Sequence, residues 1–233
     1  MSDALAQVGV VVPAAGEGVR LGANGPKALY LLAGEPLLVH AVRRLRSCPS
    51  VGVVVVAAPP DHVAAVQALL AAYDVTVVAG GAQRQDSVAA GLAALPPDTH
   101  LVLVHDAARA LVPVEVVEAV AAALHAGADA AVPVLPVVDT VKRVAGDRVV
   151  ETVDRGSLRV AQTPQGFRRA ALVAAHAAAA GALTDDAGLV EAAGGVVVTV
   201  PGSEEAFKIT RPLDLLLAEA LVARPVVPAG AVG

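Results

Sequence analysis

Arg20 and Lys27 share one glycine-rich loop, AAGEGVRLGANGPK over residues 14–27, in which Pro26 fixes the backbone ahead of the lysine. Glycines such as Gly16, Gly18, Gly22 and Gly25 let backbone amides approach a ligand closely, and successive amides form a concavity that favours negative charge. Glu17 is the loop's one carboxylate, so its two cations suit a phosphate-rich ligand better than each other. A solvated surface loop is the plainer reading of the same residues. The spacing matches neither G-x-x-x-x-G-K-[ST] nor G-x-G-x-x-G. A dinucleotide-dependent dehydrogenase would also need an acid at a strand end about 20 residues on, where Glu35 instead sits in a turn, AGEP.

Other charged and hydroxyl residues stand in short polar blocks, each with a simple structural reading. Asp106 closes the apolar run HLVLVHD and can be a strand-end turn residue. Arg155 has Asp154 and Glu151 beside it, and an exposed pair of that kind is worth little. Lys208 follows Glu204 and Glu205, and Thr184 precedes two aspartates as a helix N-cap would. His105 reads as a packed core residue and Cys48 as structural. The remaining histidines fall at no ligand spacing.

The elements that must position these groups alternate. VGVVVVAA (51–58), VTVVAGG (75–81) and HLVLVHD (100–106) are runs of the kind buried on both faces of a parallel sheet. Pro36 starts the helix PLLVHAVRRLRS, Asp61 is placed to cap HVAAVQALLAAY, RQDSVAAGLAAL forms the next helix, and Pro113 opens PVEVVEAVAAALHAG. This order predicts an α/β fold with a mostly parallel central sheet flanked by helices, Rossmann-like in layout. Period-two stretches about AGD (145–147) predict a β-hairpin arm over about 137–160, serving as a lid or a dimer contact. Helices over RRAALVAAHAAAAG and TDDAGLVEAAGG, strands GVVVTVPG and AFKIT, and a last helix RPLDLLLAEALVAR complete the pattern. Residues 1–225 read as one domain and 226–233, rich in Pro and Gly, as a disordered tail.

Composition narrows the partners. The chain has 233 residues, a net charge of −5, 2% aromatic residues and no Trp, so it offers neither a basic face nor stacking platforms for nucleic acid. Mean hydropathy is +0.66, yet no apolar run reaches the roughly 18 residues of a spanning helix, and no basic region precedes the N-terminal apolar run. No membrane partner is expected. A single cysteine excludes an internal disulfide framework. A soluble cytoplasmic protein is the reading.

The motif A-A-G-E-G-x-R-L-G followed by P-K resembles the nucleotide-binding loop of nucleotidyltransferases with a glycosyltransferase-A-like fold. Further blocks occur in order: GGAQRQDSV (80–88), HDAAR (105–109), TVDR (152–155), AQTPQGF (161–167), TDDA (184–187) and FKITRP (207–212). With them the chain, from about residue 10 to 224, is similar to the 2-C-methyl-D-erythritol 4-phosphate cytidylyltransferase family. The resemblance implies transfer of CMP from CTP to methylerythritol phosphate, with Mg²⁺ (Mn²⁺ as the alternative) and release of pyrophosphate. The nucleophile is then a phosphate oxygen, already anionic, so no general base is required and catalysis rests on positioning and charge stabilisation.

Carried over by resemblance, Arg20 and Lys27 stabilise the transition state, while Arg155 and Lys208 hold the acceptor for in-line attack. Asp106 lies near the metal and the sugar hydroxyls. Arg109, Thr140, Thr163 and Thr184 contact substrate. Ala14, Ala15, Gly16, Gly18, Gly80, Gly81 and Ser87 bind the nucleotide, largely through backbone. Sugar nucleotidyltransferases of this fold carry a late metal-binding aspartate where this chain has Lys208 and Thr210, which suits a phosphorylated alcohol acceptor. The resemblance also implies a homodimer made through the arm, with each active site shared. Ribitol 5-phosphate cytidylyltransferase is the alternative enzyme, and a non-catalytic nucleotide-binding scaffold is the alternative of another class.

Overall fold

A computed structural model describes residues 7–16, 25–178 and 185–224. The strands are β1 (Val8–Pro13), β2 (Leu31–Leu32), β3 (Glu35–Pro36), β4 (Val51–Ala58), β5 (Thr76–Ala79), β6 (Leu101–Val104), β7 (Ala130–Pro136), β8 (Val141–Ala145), β9 (Arg148–Val153), β10 (Arg159–Ala161), β11 (Gln165–Arg168) and β12 (Val197–Pro201). The helices are α1 (Leu37–Arg46), α2 (Val63–Leu69), α3 (Arg84–Ala94), α4 (Val114–His125), α5 (Arg169–Ala178), α6 (Asp186–Ala192) and α7 (Pro212–Val222).

Eight strands form one sheet in the order β10-β7-β11-β6-β1-β4-β5, with β12 also paired to β7. Pairs β1–β4, β1–β6, β4–β5 and β7–β12 are parallel, whereas β10 and β11 run antiparallel to β7. The valine-rich strands work because both faces are covered. Val10 and Val12 of β1 face the core built with α1 and α4, while Val11 faces the core built with α3, α5 and α6; all three are fully buried. This is the two-sided burial that continuous β-branched runs require.

The arm forms as a separate two-stranded sheet. β8 pairs antiparallel with β9 around a turn at Gly146, and nearly every residue of the hairpin is exposed, Val144, Val149 and Val150 included. It is shorter than expected. β10 returns to the main sheet and pairs with β7, so the end of the expected 137–160 arm is sheet edge.

Three further expectations change. Asp61 caps no helix: Pro60–His62 forms a 3₁₀ turn behind Pro59, the N-cap of α2 is His62, and no side chain caps it. No strand forms over 206–210. Glu204–Ala206 is a 3₁₀ turn, and Ile209 N–H makes a single 2.9 Å bond to the Ala108 carbonyl. The next two amides, of Thr210 and Arg211, donate to the Asp214 carboxylate at 2.8 Å each and start α7 instead of a ladder. β7 was not among the expected strands, and it carries two prolines, Pro133 and Pro136, of a kind uncommon inside a sheet. It nevertheless lies inside the sheet, where β11 and β12 cover its first residues and β10 only its end. The tail, 226–233, lies outside the described residues.

Candidate active site

The parallel strands β1 and β6 end side by side, and the loops after them open toward the start of α3. In open α/β sheets ligands collect at this carboxyl edge. A cavity of about 210 Å³ lies there, walled by residues 13–16 after β1, 81–84 at the start of α3 and 106–108 after β6, with Lys27, Ser87 and Lys208. The α3 N-terminus adds backbone amides and the positive end of its dipole. It is closed by a reciprocal cap, in which the Gln83 amide donates to Asp86 Oδ2 at 2.9 Å.

Ala14, Ala15, Gly16, Gly81 and Ser87, predicted to bind nucleotide, all line this cavity. Gly80 lies behind it. A Cβ there would stand 2.7 Å from Ser87 Oγ and 2.9 Å from Ala15 Cβ, so glycine lets the β1 loop close on α3. Ser87 Oγ in turn accepts from the Gly81 amide at 3.2 Å. Gly18 and Arg20 lie outside the described residues, as does Thr184.

Asp106 is where the elements meet. Its Oδ1 accepts from Arg84 Nε at 3.2 Å and its Oδ2 from Lys208 Nζ at 2.7 Å. Its side chain is only 13% exposed. Burial works against the charged carboxylate, yet Arg84 and Lys208, with Arg109 adding to them, hold it well below the usual carboxylate range. The simple surface pairings fail. Glu205 pairs with Arg224, leaving Lys208 to Asp106, which sits 102 residues away along the chain.

The same carboxylate, with Arg84 and Lys208, also lines a second cavity of about 210 Å³, completed by Arg109, Thr163, Gln165 and Asp185 among others. This cavity exists because the strand antiparallel to β7 is broken. Between β10 and β11 the pairing with β7 slips by two residues: the Gln162 amide still bonds the Pro133 carbonyl at 2.8 Å, and Thr163 and Pro164 fall in the break, beside the residues that follow β6. Bulges commonly re-aim side chains in this way. Thr163 Oγ1 accepts from the Asp106 amide at 3.0 Å and lies 3.3 Å from His105 Nδ1. His105 is fully buried, and burial pushes its pKa down to about 4, so its ring is neutral. One tautomer satisfies every contact: the Thr163 hydroxyl donates to Nδ1, and Nε2–H donates to the Arg109 carbonyl at 3.3 Å. The Thr163 hydroxyl thus ties the Asp106 backbone to His105. Arg109 donates to the carbonyls of Ala206 (2.7 Å) and Ala161 (3.3 Å), and its Nε is buried with no partner among the described residues.

Arg155 and Thr140 join neither cavity of their own chain. Both are exposed beside the arm, and the Arg155 guanidinium donates to the Val138 carbonyl. The pairs suggested by sequence do not form: Glu151 binds Arg143 at 2.7 Å, and Asp154 accepts from the Gly156 amide at 3.0 Å. The N-cap expected of Thr184 is supplied by Asp185, whose carboxylate accepts from the Gly188 amide.

No group of three or more His, Cys, Asp or Glu side chains suited to a metal occurs among the described residues, and Asp106 is the one carboxylate lining the first cavity there. A single ionised carboxylate fits Mg²⁺ bound mainly through substrate phosphates, the usual mode for that ion.

A model of the 2-C-methyl-D-erythritol 4-phosphate cytidylyltransferase family matches residues 8–224. The chain belongs to this family. It is 58% identical to the 2-C-methyl-D-erythritol 4-phosphate cytidylyltransferase of Frankia casuarinae, over 94% of this chain and 82% of that one. Identity to the Streptomyces coelicolor protein of the same name is 53%, over 94% and 86%. The crystal structure of the Thermus thermophilus enzyme of that name superposes with a TM-score of 0.75 at 41% identity, covering 92% of this chain and 98% of that one.

Arg84 is the site residue that sequence reading passed over. It stands inside the quoted GGAQRQDSV block, but as a lone arginine at a helix start nothing local marks it. Its two carboxylate partners, Asp106 and Asp186, are 22 and 102 residues away in sequence.

Proposed function

We propose that the chain transfers CMP from CTP to 2-C-methyl-D-erythritol 4-phosphate, giving 4-diphosphocytidyl-2-C-methyl-D-erythritol and pyrophosphate in isoprenoid biosynthesis. Family membership supplies the reaction, and one observation supports where it occurs: a buried, ionised Asp106 ringed by cations forms the common wall of two cavities. CTP takes the first cavity, its base read by the backbone around residues 14–16 and 81 and by Ser87. The acceptor takes the second. An oxygen of its phosphate attacks the α-phosphorus, the bond to the bridging oxygen breaks, and that electron pair leaves on pyrophosphate. No proton need be removed, which agrees with a site whose buried histidine is committed to structure.

The barrier is repulsion between two anions and the charge that gathers on the leaving group. Lys27, with Arg20 on the same loop, offsets charge on the triphosphate, and Lys208 and Arg109 hold the acceptor phosphate. Asp106 orients Lys208 and Arg84, and its carboxylate would serve as a protein oxygen ligand for a divalent ion at the first cavity. When bound, Mg²⁺ (or Mn²⁺) neutralises triphosphate charge. Arg155 and Thr140 reach a site only from a second copy, so a cytoplasmic homodimer joined by the arm is the working form, with residues 1–225 as its one catalytic domain.

Pyrophosphate release, measured with each of the four ribonucleoside triphosphates against methylerythritol and ribitol phosphates, tests this reading. Release with CTP and the erythritol compound alone is expected. Release with ribitol phosphate instead would reassign the acceptor, and nucleotide binding without release would leave a scaffold.

A further inference from the structure

Asp186, the second aspartate of the TDDA block, has no place in the chemistry above, yet its side chain is fully buried in the first turn of α6. A buried carboxylate is costly unless it is paired and hydrogen-bonded. It is both. Oδ2 accepts from Arg84 Nη1 at 2.6 Å, and Oδ1 lies 3.1 Å from His176 Nε2 on α5. Arg84 stands at the first position of α3, where the helix dipole disfavours a cation, so its orientation is set by these carboxylates. With Nη1 drawn inward to Asp186 and Nε directed to Asp106, the planar fork leaves Nη2 with no partner among the described residues, in a side chain that lines both cavities. A guanidinium held by a single carboxylate would be free to swivel about that contact. Held by two, it has one orientation.

We infer that His176 and Asp186 are positioning residues, which act through Arg84 to fix Asp106 and present the remaining Arg84 donor to the reacting phosphates. The chain of contacts runs His176, Asp186, Arg84, Asp106, Lys208, and joins α5, α6, α3, the β6 loop and the segment before α7. Family resemblance marked TDDA as a block. The geometry assigns its second aspartate a task distinct from that of Asp185, which caps α6 and accepts from Gln165 Nε2 at 2.7 Å. The inference rests on the proposed reaction at this site.

A double-mutant cycle tests it, with pyrophosphate release from CTP and methylerythritol phosphate as the readout and thermal melting run in parallel. Asp186→Asn should lower kcat by about 10- to 100-fold, the scale of a small misplacement of a reacting group, while the KM for CTP moves much less because the backbone cradle stays intact. In an Arg84→Ala background the same substitution should cost almost nothing further in kcat. His176→Ala should reproduce part of the loss, and His176→Gln, which can place a donor near the Nε2 position, should restore it. If the Asp186 and Arg84 effects multiply, or if kcat follows melting temperature across the set with no rescue by glutamine, the residues are merely structural and the inference is wrong. Should Asp186→Asn not fold, the two His176 variants decide by the same criteria. An inactive wild-type chain would instead overturn the proposed reaction.

Discussion

The sheet edge and the arm carry the same kind of side chain in opposite circumstances. At the sheet edge Lys208, Arg84 and Asp106 are drawn together from three separate segments, with the carboxylate 13% exposed. On the arm Arg155 stands exposed, bonded to a neighbouring backbone carbonyl. The first arrangement is finished within one chain because packing on both sides of the sheet pays the ordering entropy of its long side chains. The second lacks any such support. A two-stranded hairpin is marginal by itself and orders its side chains only against another surface. On the reading proposed above, the body would supply a nucleotide cavity and most of an acceptor cavity, and the arm a contact to another copy.

The largest effect should come from the body. Lys208→Ala removes one of the two cations bonded to Asp106 and an acceptor ligand together, and kcat/KM should fall by about 10²-fold or more. A loss below tenfold would make the Lys208 pair a structural contact. Mixing sharpens the contrast. Lys27→Ala and Arg155→Ala chains should each be poorly active, yet random hybrid dimers formed on co-expression carry one intact site in two, and activity should recover to about a quarter of wild type. Activity no higher than that of either parent would show that sites are not shared. The smallest effects come from one substitution made in both regions. Gly80→Ala forces a Cβ against Ser87 and Ala15 and should destabilise the fold by about 1–3 kcal/mol while weakening nucleotide binding. Gly146→Ala strains a turn residue with φ of +61°, but the cost of about 1 kcal/mol falls on a hairpin paired only to itself. The global melting curve should barely move, with a few-fold loss of activity as its trace. A cooperative loss of stability from Gly146→Ala would show that the arm is integral to the body.

Much of this layout was legible in advance, for identifiable reasons. β1, β4 and β6 announce themselves because both faces are buried, so every position is apolar. The arm is legible because period two persists around a Gly-Asp turn. β7 was not anticipated; it carries two prolines, and β10 and β12 take up the ladder around them. The AFKIT segment has the composition of a strand, but its following amides are used by Asp214 to start α7. Asp106, Lys208 and Arg109 were reached as site residues through resemblance, and for Asp106 and Lys208 a simple local reading stood beside it. Thr163, expected to touch substrate, lines the second cavity, and what its sequence neighbours did not show is that its hydroxyl also joins Asp106 to His105.

By itself the sequence determined the α/β order, the glycine-rich loop and the family, because these follow from periodicity, composition and blocks of adjacent residues that survive without knowledge of contacts. Only the tertiary structure decided which charges meet. Ion pairing depends on distance through space, and burial, which makes Asp186 and His105 matter, is a property of the packed chain. The Arg84 network joins residues 84, 106, 176, 186 and 208, which become neighbours when the sheet brings its strand ends together.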